Sequence, residues 1–359
     1  MLIYWVLFGF FAAGAVLAQP PVPAAYAGGE RRPSPVPGGQ LRIPLLLGTL
    51  LIIGVIGLRY KVGADWFTYE QIFGQVQRYD FLGALGRGDP GYQLLNWIAF
   101  QAGSEVWLVN LMSAAIFGWG LYRFCSVQPS PWLAVAIAIP YMVIVVAMGY
   151  TRQSIALGVL MAGLAKQSRG GSTLNFAIYV ALAATFHRTA VVLFPLVSLS
   201  GRGSRAVNLL LGVFASILLY DFFLGDSMAG FVHNYIDADY SSQGALVRVS
   251  MNMVAAVLLW LFRGRLGFEE HEFKIWRNFS LASLLFMLSL AVLPSTAVDR
   301  MSLYMMPLQI AVLTRVAILG EHRLVGTTGV LAYLMVVEFV WLNFADHARF
   351  WVPYQIYPL

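Results

Sequence analysis

Four side chains in this sequence are of a type, and in a setting, that invites chemistry: Asp65, Arg152, His187 and Arg300. Arg152 opens an apolar run, Gln153-Ser154-Ile155-Ala156-Leu157. A charge at membrane depth costs about 2.5–3.5 kcal/mol on insertion scales, so it persists where it is paired or serves a pathway. A guanidinium stays charged and can grip a pyrophosphate or a sugar carboxylate bidentately. The same residue also reads as an interfacial arginine snorkelling to lipid headgroups. His187-Arg188-Thr189 interrupts a second apolar run near its middle. An imidazole, with an ordinary pKa of about 6.5, suits a general base or acid; a hydrogen-bonded packing histidine fits the position as well. Asp299-Arg300 brings a carboxylate and a second cation to the start of another run, with Tyr304 one helical turn on and facing the same way. Asp65-Trp66 with Tyr69 offers a carboxylate for hydroxyl groups and rings for stacking on sugars. An aromatic belt at a membrane surface explains the rings but not Asp65. Glu338, in Val336-Val337-Glu338-Phe339, is a carboxylate in an apolar run whose partner the sequence does not name.

The elements that must position these groups are set by composition. Of 359 residues, 59% are hydrophobic and 11% charged, whereas an average soluble domain carries about 25% charged residues. That excludes a soluble enzyme, a disordered chain and a nucleic-acid binder. The net charge of +6 reads as loop charge on the cytoplasmic side of a membrane protein. The single cysteine, Cys125, excludes a disulfide framework or a cysteine-rich metal site. Nucleotide-binding GxxxxGK[ST], HExxH and GxSxG motifs are absent, and no carboxylate cluster has obvious metal spacing.

Apolar runs with polar punctuation cover residues 1–18, 41–58, 104–124, 131–149, 151–167, 173–186, 188–199, 206–223, 246–263, 275–293, 300–319 and 323–344. The expected fold is an all-α polytopic integral membrane protein of about 11–12 transmembrane or half-membrane helices. Residues 1–40 form an N-terminal helix and a Pro/Gly-rich linker, and 41–359 a single transmembrane domain. External loops fall at 59–91, a stretch that also holds Arg59, Asp80 and Asp89, and at 224–245, with His233, Asp237 and Asp239. Residues 1–18 lack the basic start of a signal peptide, although Val16 and Ala18 would suit cleavage. Arg31, Arg32, Arg42, Arg123, Lys166, Arg169, Arg202, Arg205, Arg263, Arg265, Lys274 and Arg323 share one side if the N-terminus is outside and 173–199 is a helix broken at His187 that enters and returns. The polar clusters around 59–91, 149–153, 187–188 and 295–304 then share the opposite, outer side.

Five short motifs stand in order: Gly63-Ala64-Asp65-Trp66 with Tyr69; Asp89-Pro90-Gly91-Tyr92; Arg152-Gln153-Ser154-Ile155-Ala156; Phe186-His187-Arg188-Thr189-Ala190; and Asp299-Arg300 with Tyr304. Together they resemble the EpsG family of bacterial exopolysaccharide proteins, Wzy-like polymerases, over about residues 40–320. Family members more often have Glu at the place of Asp89, and Lys or Asn at that of Arg188.

The resemblance implies a GT-C/Wzy-like bundle in the bacterial inner membrane. Its active side would be periplasmic, joining oligosaccharide repeat units carried on undecaprenyl diphosphate. It implies no cofactor and no metal, and as partners the lipid bilayer, a repeat-unit flippase and a chain-length co-polymerase. On that reading Arg152 and Arg300 face the diphosphate, and His187 or Asp65 deprotonates the acceptor hydroxyl. Trp66, Tyr69, Tyr92 and Tyr304 bind sugar rings, and Gln153, Arg188 and Asp299 complete the substrate site. A lipid-linked oligosaccharide flippase needs similar cations lining a path through both leaflets. A GT-C-type single-sugar transferase also carries an acid in its first external loop. His271 and His322 admit a membrane acyltransferase. Sugar identity, linkage, stereochemical outcome and oligomeric state are not written in the sequence.

Overall fold

The computed structural model describes residues 1–18, 42–200, 244–320 and 322–358, with a few positions between 204 and 217. The linker, Arg202, Arg205 and the loop with His233, Asp237 and Asp239 lie outside the described residues. What is described is helical, and the chain order is α1 (Leu2–Leu17), α2 (Arg42–Gly57), α3 (Trp66–Val76), α4 (Phe81–Leu85), α5 (Pro90–Gln101), α6 (Val106–Cys125), α7 (Pro131–Ala138), α8 (Thr151–Ser168), α9 (Thr173–Phe186), α10 (Leu193–Ser198), α11 (Ala245–Leu261), α12 (Glu270–Ser289), α13 (Ser295–Ser302), α14 (Met306–Val316) and α15 (Arg323–Phe344). Two of these, α6 and α15, are long and apolar enough to cross a membrane on length and composition. The other apolar helices are shorter, and such segments must complete their backbone hydrogen bonding inside a bundle. Leu47, Ile178, Val247, Leu285, Val325 and Phe344 turn outward into the surroundings. Exposed apolar area of this extent belongs against lipid.

The bundle centres on α6, α7 and α8, and the residues of α7 and α8 are almost all buried. The axes of α6 and α8 approach closely because Gly120 and Gly158 face one another, and a Cβ on Gly120 would strike the Gly158 carbonyl. Small residues at a helix crossing permit this approach where no water drives association. α2 packs on α6, α9 on α8, α1 on α7, and α11 on α12 and α14.

Two irregular stretches decide where the polar residues go. Pro140 sits at the start of a π-helical segment, Ile139–Ala147, that continues α7. Proline lacks an N–H, and the wider winding leaves carbonyls seeking donors. The Trp351 indole N–H supplies one, donating to Ile144 O at 2.7 Å. The second stretch is His187, whose extended backbone (φ −159°, ψ 112°) separates α9 from a 3-10 turn, Arg188–Val192, and α10. The break expected at His187 is therefore present.

The stretch 59–91, expected as a loop, is instead largely helical, with α3, α4 and the start of α5. Asp80 caps α4 by accepting from Gly83 N at 2.9 Å. Pro90 stands in the first turn of α5, where a missing N–H costs nothing. The chain's last residues return to this end of the bundle. Gly63 N donates to Phe350 O and Tyr60 N to Gln355 O, each at 2.9 Å; Arg59 bridges Ile356; and Tyr4 Oη donates to Trp351 O at 2.7 Å. Gly63 has φ +108°, and a Cβ there would strike the Met148 carbonyl, so only glycine lets this turn sit on the π segment.

Candidate active site

Asp65 and Asp89 both occupy N-cap positions, of α3 and α5, yet neither carboxylate makes the cap hydrogen bond. An N-cap bond is worth about 0.5–2 kcal/mol, so something else must hold these oxygens. For Asp89 it is Arg152, whose Nη1 lies 2.8 Å from Oδ2. The same Oδ2 lies 3.9 Å from Nδ1 of His187. The His187 break thus brings the end of α9 to the starts of α5 and α8. Tyr69 on α3 lies within electrostatic reach of Arg152, and its ring meets Tyr92 edge-on at 5.5 Å.

Arg300 approaches from the far side of α8. Its guanidinium lies 5.0 Å from the centre of the Tyr150 ring, within the range of a cation–π contact. Its backbone carbonyl accepts from Gln153 Nε2 at 2.6 Å. Asp65 lies within electrostatic reach of Arg300, Arg152 and His347. Burial pushes the Asp65 carboxyl above the ordinary carboxylate range, against the downward pull of those neighbouring charges.

Asp65, Arg152, Gln153, His187 and Arg300 therefore meet at one end of the bundle. The polar cluster at the other end is separate: Arg315 Nη2 pairs with Glu272 at 3.0 Å, and Arg315 Nη1 donates to Gln128 at 2.9 Å. Lys166 lies in the last turn of α8, Arg169 caps that helix, Lys274 lies near the start of α12 and Arg323 begins α15. His271 belongs to this end as well, with Nε2 3.4 Å from Gln167 O.

Several expectations change on inspection. Asp299 is held by Arg248 of α11 through two bonds of 2.7 and 2.6 Å. These bonds turn the Asp299 carboxylate, expected in the substrate site, toward α11. Tyr304 does not follow Arg300 around one α-helical turn, because a 3-10 segment, Leu303–Met305, intervenes; its hydroxyl lies 3.1 Å from Thr189 Oγ1. Trp66, Tyr69, Tyr92 and Tyr304 are all buried. They form the packed wall behind the charges, and none presents an open ring face in this conformation. Arg188 is exposed at the rim.

Asp89, Arg59, Tyr150 and Arg248 are the members that sequence reasoning left out of the site. Asp89 had a signal, an acid immediately before a helix-starting proline. Arg59, the first polar residue after the α2 run, is 1% exposed. It donates to Ile56 O at 2.7 Å, Val62 O at 3.3 Å, Asn110 Oδ1 at 3.1 Å and Thr151 Oγ1 at 2.8 Å. Thr151 is the first residue of α8 and precedes Arg152.

An apolar helical bundle with a cluster of arginines and carboxylates at one end is the architecture of a membrane protein with a polar site. Comparison with known families places it further: residues 42–356 match the EpsG family, and the chain belongs to that family of Wzy-like polymerases of exopolysaccharide production. No curated protein and no solved structure matches the chain.

Proposed function

We propose that the protein joins undecaprenyl-diphosphate-linked oligosaccharide units at the outer face of the bacterial inner membrane. The observation that carries this reading is the geometry at the site: the guanidiniums of Arg152 and Arg300 stand with the carboxylates of Asp65 and Asp89 at the N-terminus of α8. The positive end of a helix dipole and permanently charged guanidiniums suit a diphosphate. Clustering at one end favours an enzyme over a flippase, which needs cations along the whole path.

In the reaction, an acceptor sugar hydroxyl attacks the anomeric carbon of the growing chain. A carbon–oxygen bond forms, the bond from that carbon to the diphosphate oxygen breaks, and the lipid diphosphate leaves with the electron pair. Arg152 and Arg300 stabilise the charge on the departing oxygen. Asp65 takes the hydroxyl proton; its buried carboxyl is a stronger base than an exposed one. Asp89 holds Arg152 in place, with His187 beside the same carboxylate oxygen. Gln153 fixes the backbone of Arg300, and exposed Arg188 lies where the saccharide enters. A repeat-unit flippase would deliver the substrate and a chain-length co-polymerase would set its extent.

Arg152→Ala and Arg300→Ala should each abolish polymer and accumulate single lipid-linked units on the outer leaflet, with normal membrane insertion. Wild-type polymer length in either variant refutes the reading. Accumulation on the inner leaflet instead identifies a flippase.

A further inference from the structure

Arg59 is a buried cation whose partners are all neutral. Two backbone carbonyls, the Asn110 amide oxygen and the Thr151 hydroxyl accept its hydrogen bonds. The titratable side chains around it are Tyr69, Tyr92, Tyr354 and Tyr4, uncharged at neutral pH. Among the described residues it pairs with no carboxylate. A guanidinium withdrawn from water and left without a counter-charge is a standing electrostatic cost that a fold does not keep for packing alone. The hydrogen bond to Thr151 places this charge directly behind the first turn of α8, the turn that carries Arg152.

We propose that Arg59 is a third cation of the site, whose charge acts through space on the substrate's diphosphate. This rests on the reading of an anionic donor given above. Arg59 does not touch the donor. It raises the positive potential at the α8 N-terminus and fixes Thr151, so it is a positioning residue.

Asn110 offers a test that leaves the geometry alone. Its Oδ1 already accepts from Arg59, and its Nδ2 is buried without a partner. Asn110→Asp is isosteric, keeps the hydrogen bond and supplies the absent negative charge. The full chain in lipid nanodiscs would be titrated with inorganic pyrophosphate at fixed ionic strength, alongside its thermal unfolding. Asn110→Asp should raise the unfolding temperature while weakening pyrophosphate binding about tenfold. A purely structural role for Arg59 predicts equal or tighter binding, since the bond it makes is strengthened. Arg59→Met is the second variant, and it should lose affinity at least as far. Wild-type pyrophosphate affinity in Asn110→Asp, or in folded Arg59→Met, overturns the proposal. Arg152→Ala is the control. If it too binds like wild type, the diphosphate reading itself falls; if it binds weakly while Asn110→Asp does not, only the assignment of Arg59 falls.

Discussion

Replacing Asp89 by Asn tests whether Arg152 is a working cation that its own protein partly occupies. The pair is close, with Nη1 to Oδ2 at 2.8 Å, but Arg152 keeps 35% of its side chain exposed against 8% for Asp89. Two unit charges at 4 Å interact by about 4 kcal/mol at an effective dielectric of 20. Solvent at the exposed guanidinium, and the hydrogen bond that an asparagine oxygen can still accept, leave about 1.5 kcal/mol of that as the effect of the charge. A diphosphate must compete with Asp89 for Arg152, so Asp89→Asn should lower the KM for lipid-linked donor about tenfold, the factor that about 1.4 kcal/mol represents. Turnover should fall at the same time, because Asp89 also orders Arg152 and faces His187. The assay is polymer formation from purified lipid-linked units in nanodiscs, with donor varied at saturating acceptor. An unchanged or raised KM would show that the Asp89–Arg152 pair is a structural tie, and would remove Arg152 from the donor site.

Three other outcomes follow from particular contacts. Arg248→Ala removes two charge-assisted bonds from the buried Asp299 carboxylate and should destabilise the protein by about 1.5–3 kcal/mol, with Arg248→Lys recovering part of this in thermal melts; a variant as stable as wild type would count against the clamp. Gly63→Ala must enter a left-handed conformation and displace the Met148 carbonyl, a strain of about 1–3 kcal/mol, and should reduce both stability and turnover; normal melting and turnover would contradict the geometry. Asp65 must be ionised to accept a proton, and burial raises its carboxyl. The activity should therefore fall, as pH drops, at a higher pH than an exposed carboxylate's value of about 4 would give. Asp65→Asn should lose turnover entirely, while a pH–rate profile with its acid limb unchanged in His187→Gln would confirm which group is the base.

The legible and illegible parts of this protein divide by physical range. Apolar runs read off the sequence match α1, α2, α6, α8, α9, α11 and α15 to within a few residues, because in lipid the helix boundary is where hydropathy changes. The polar break at His187 is legible for the same reason. The stretch 59–91 is not, since α3, α4 and α5 are short and carry polar and aromatic residues that also suit a surface loop. A closer sign was available in Asp89-Pro90, an acid and proline at the start of a helix whose buried Tyr92, Leu95, Asn96 and Ala99 fall three or four residues apart. Pro140 marked an irregularity inside an apolar run, but whether a proline kinks a helix or widens it depends on donors elsewhere, here Trp351, more than 200 residues away. The pairs Asp89–Arg152 and Arg248–Asp299 belong to the same class, because nothing local distinguishes the partner of a charge 51 or 63 residues distant.

What the sequence did mark was the conflict at Arg152. A cation in the first turn of a helix opposes the macrodipole by about 0.3–1 kcal/mol, and the two acids nearby decline the caps that would have helped their own helices. Each choice is locally unfavourable, and together they gather guanidiniums and carboxylates at the start of α8. Natural sequences break local rules where function requires it. Three such breaks around a single helix start, with a guanidinium behind them that pairs with no carboxylate among the described residues, are what the proposed diphosphate site requires.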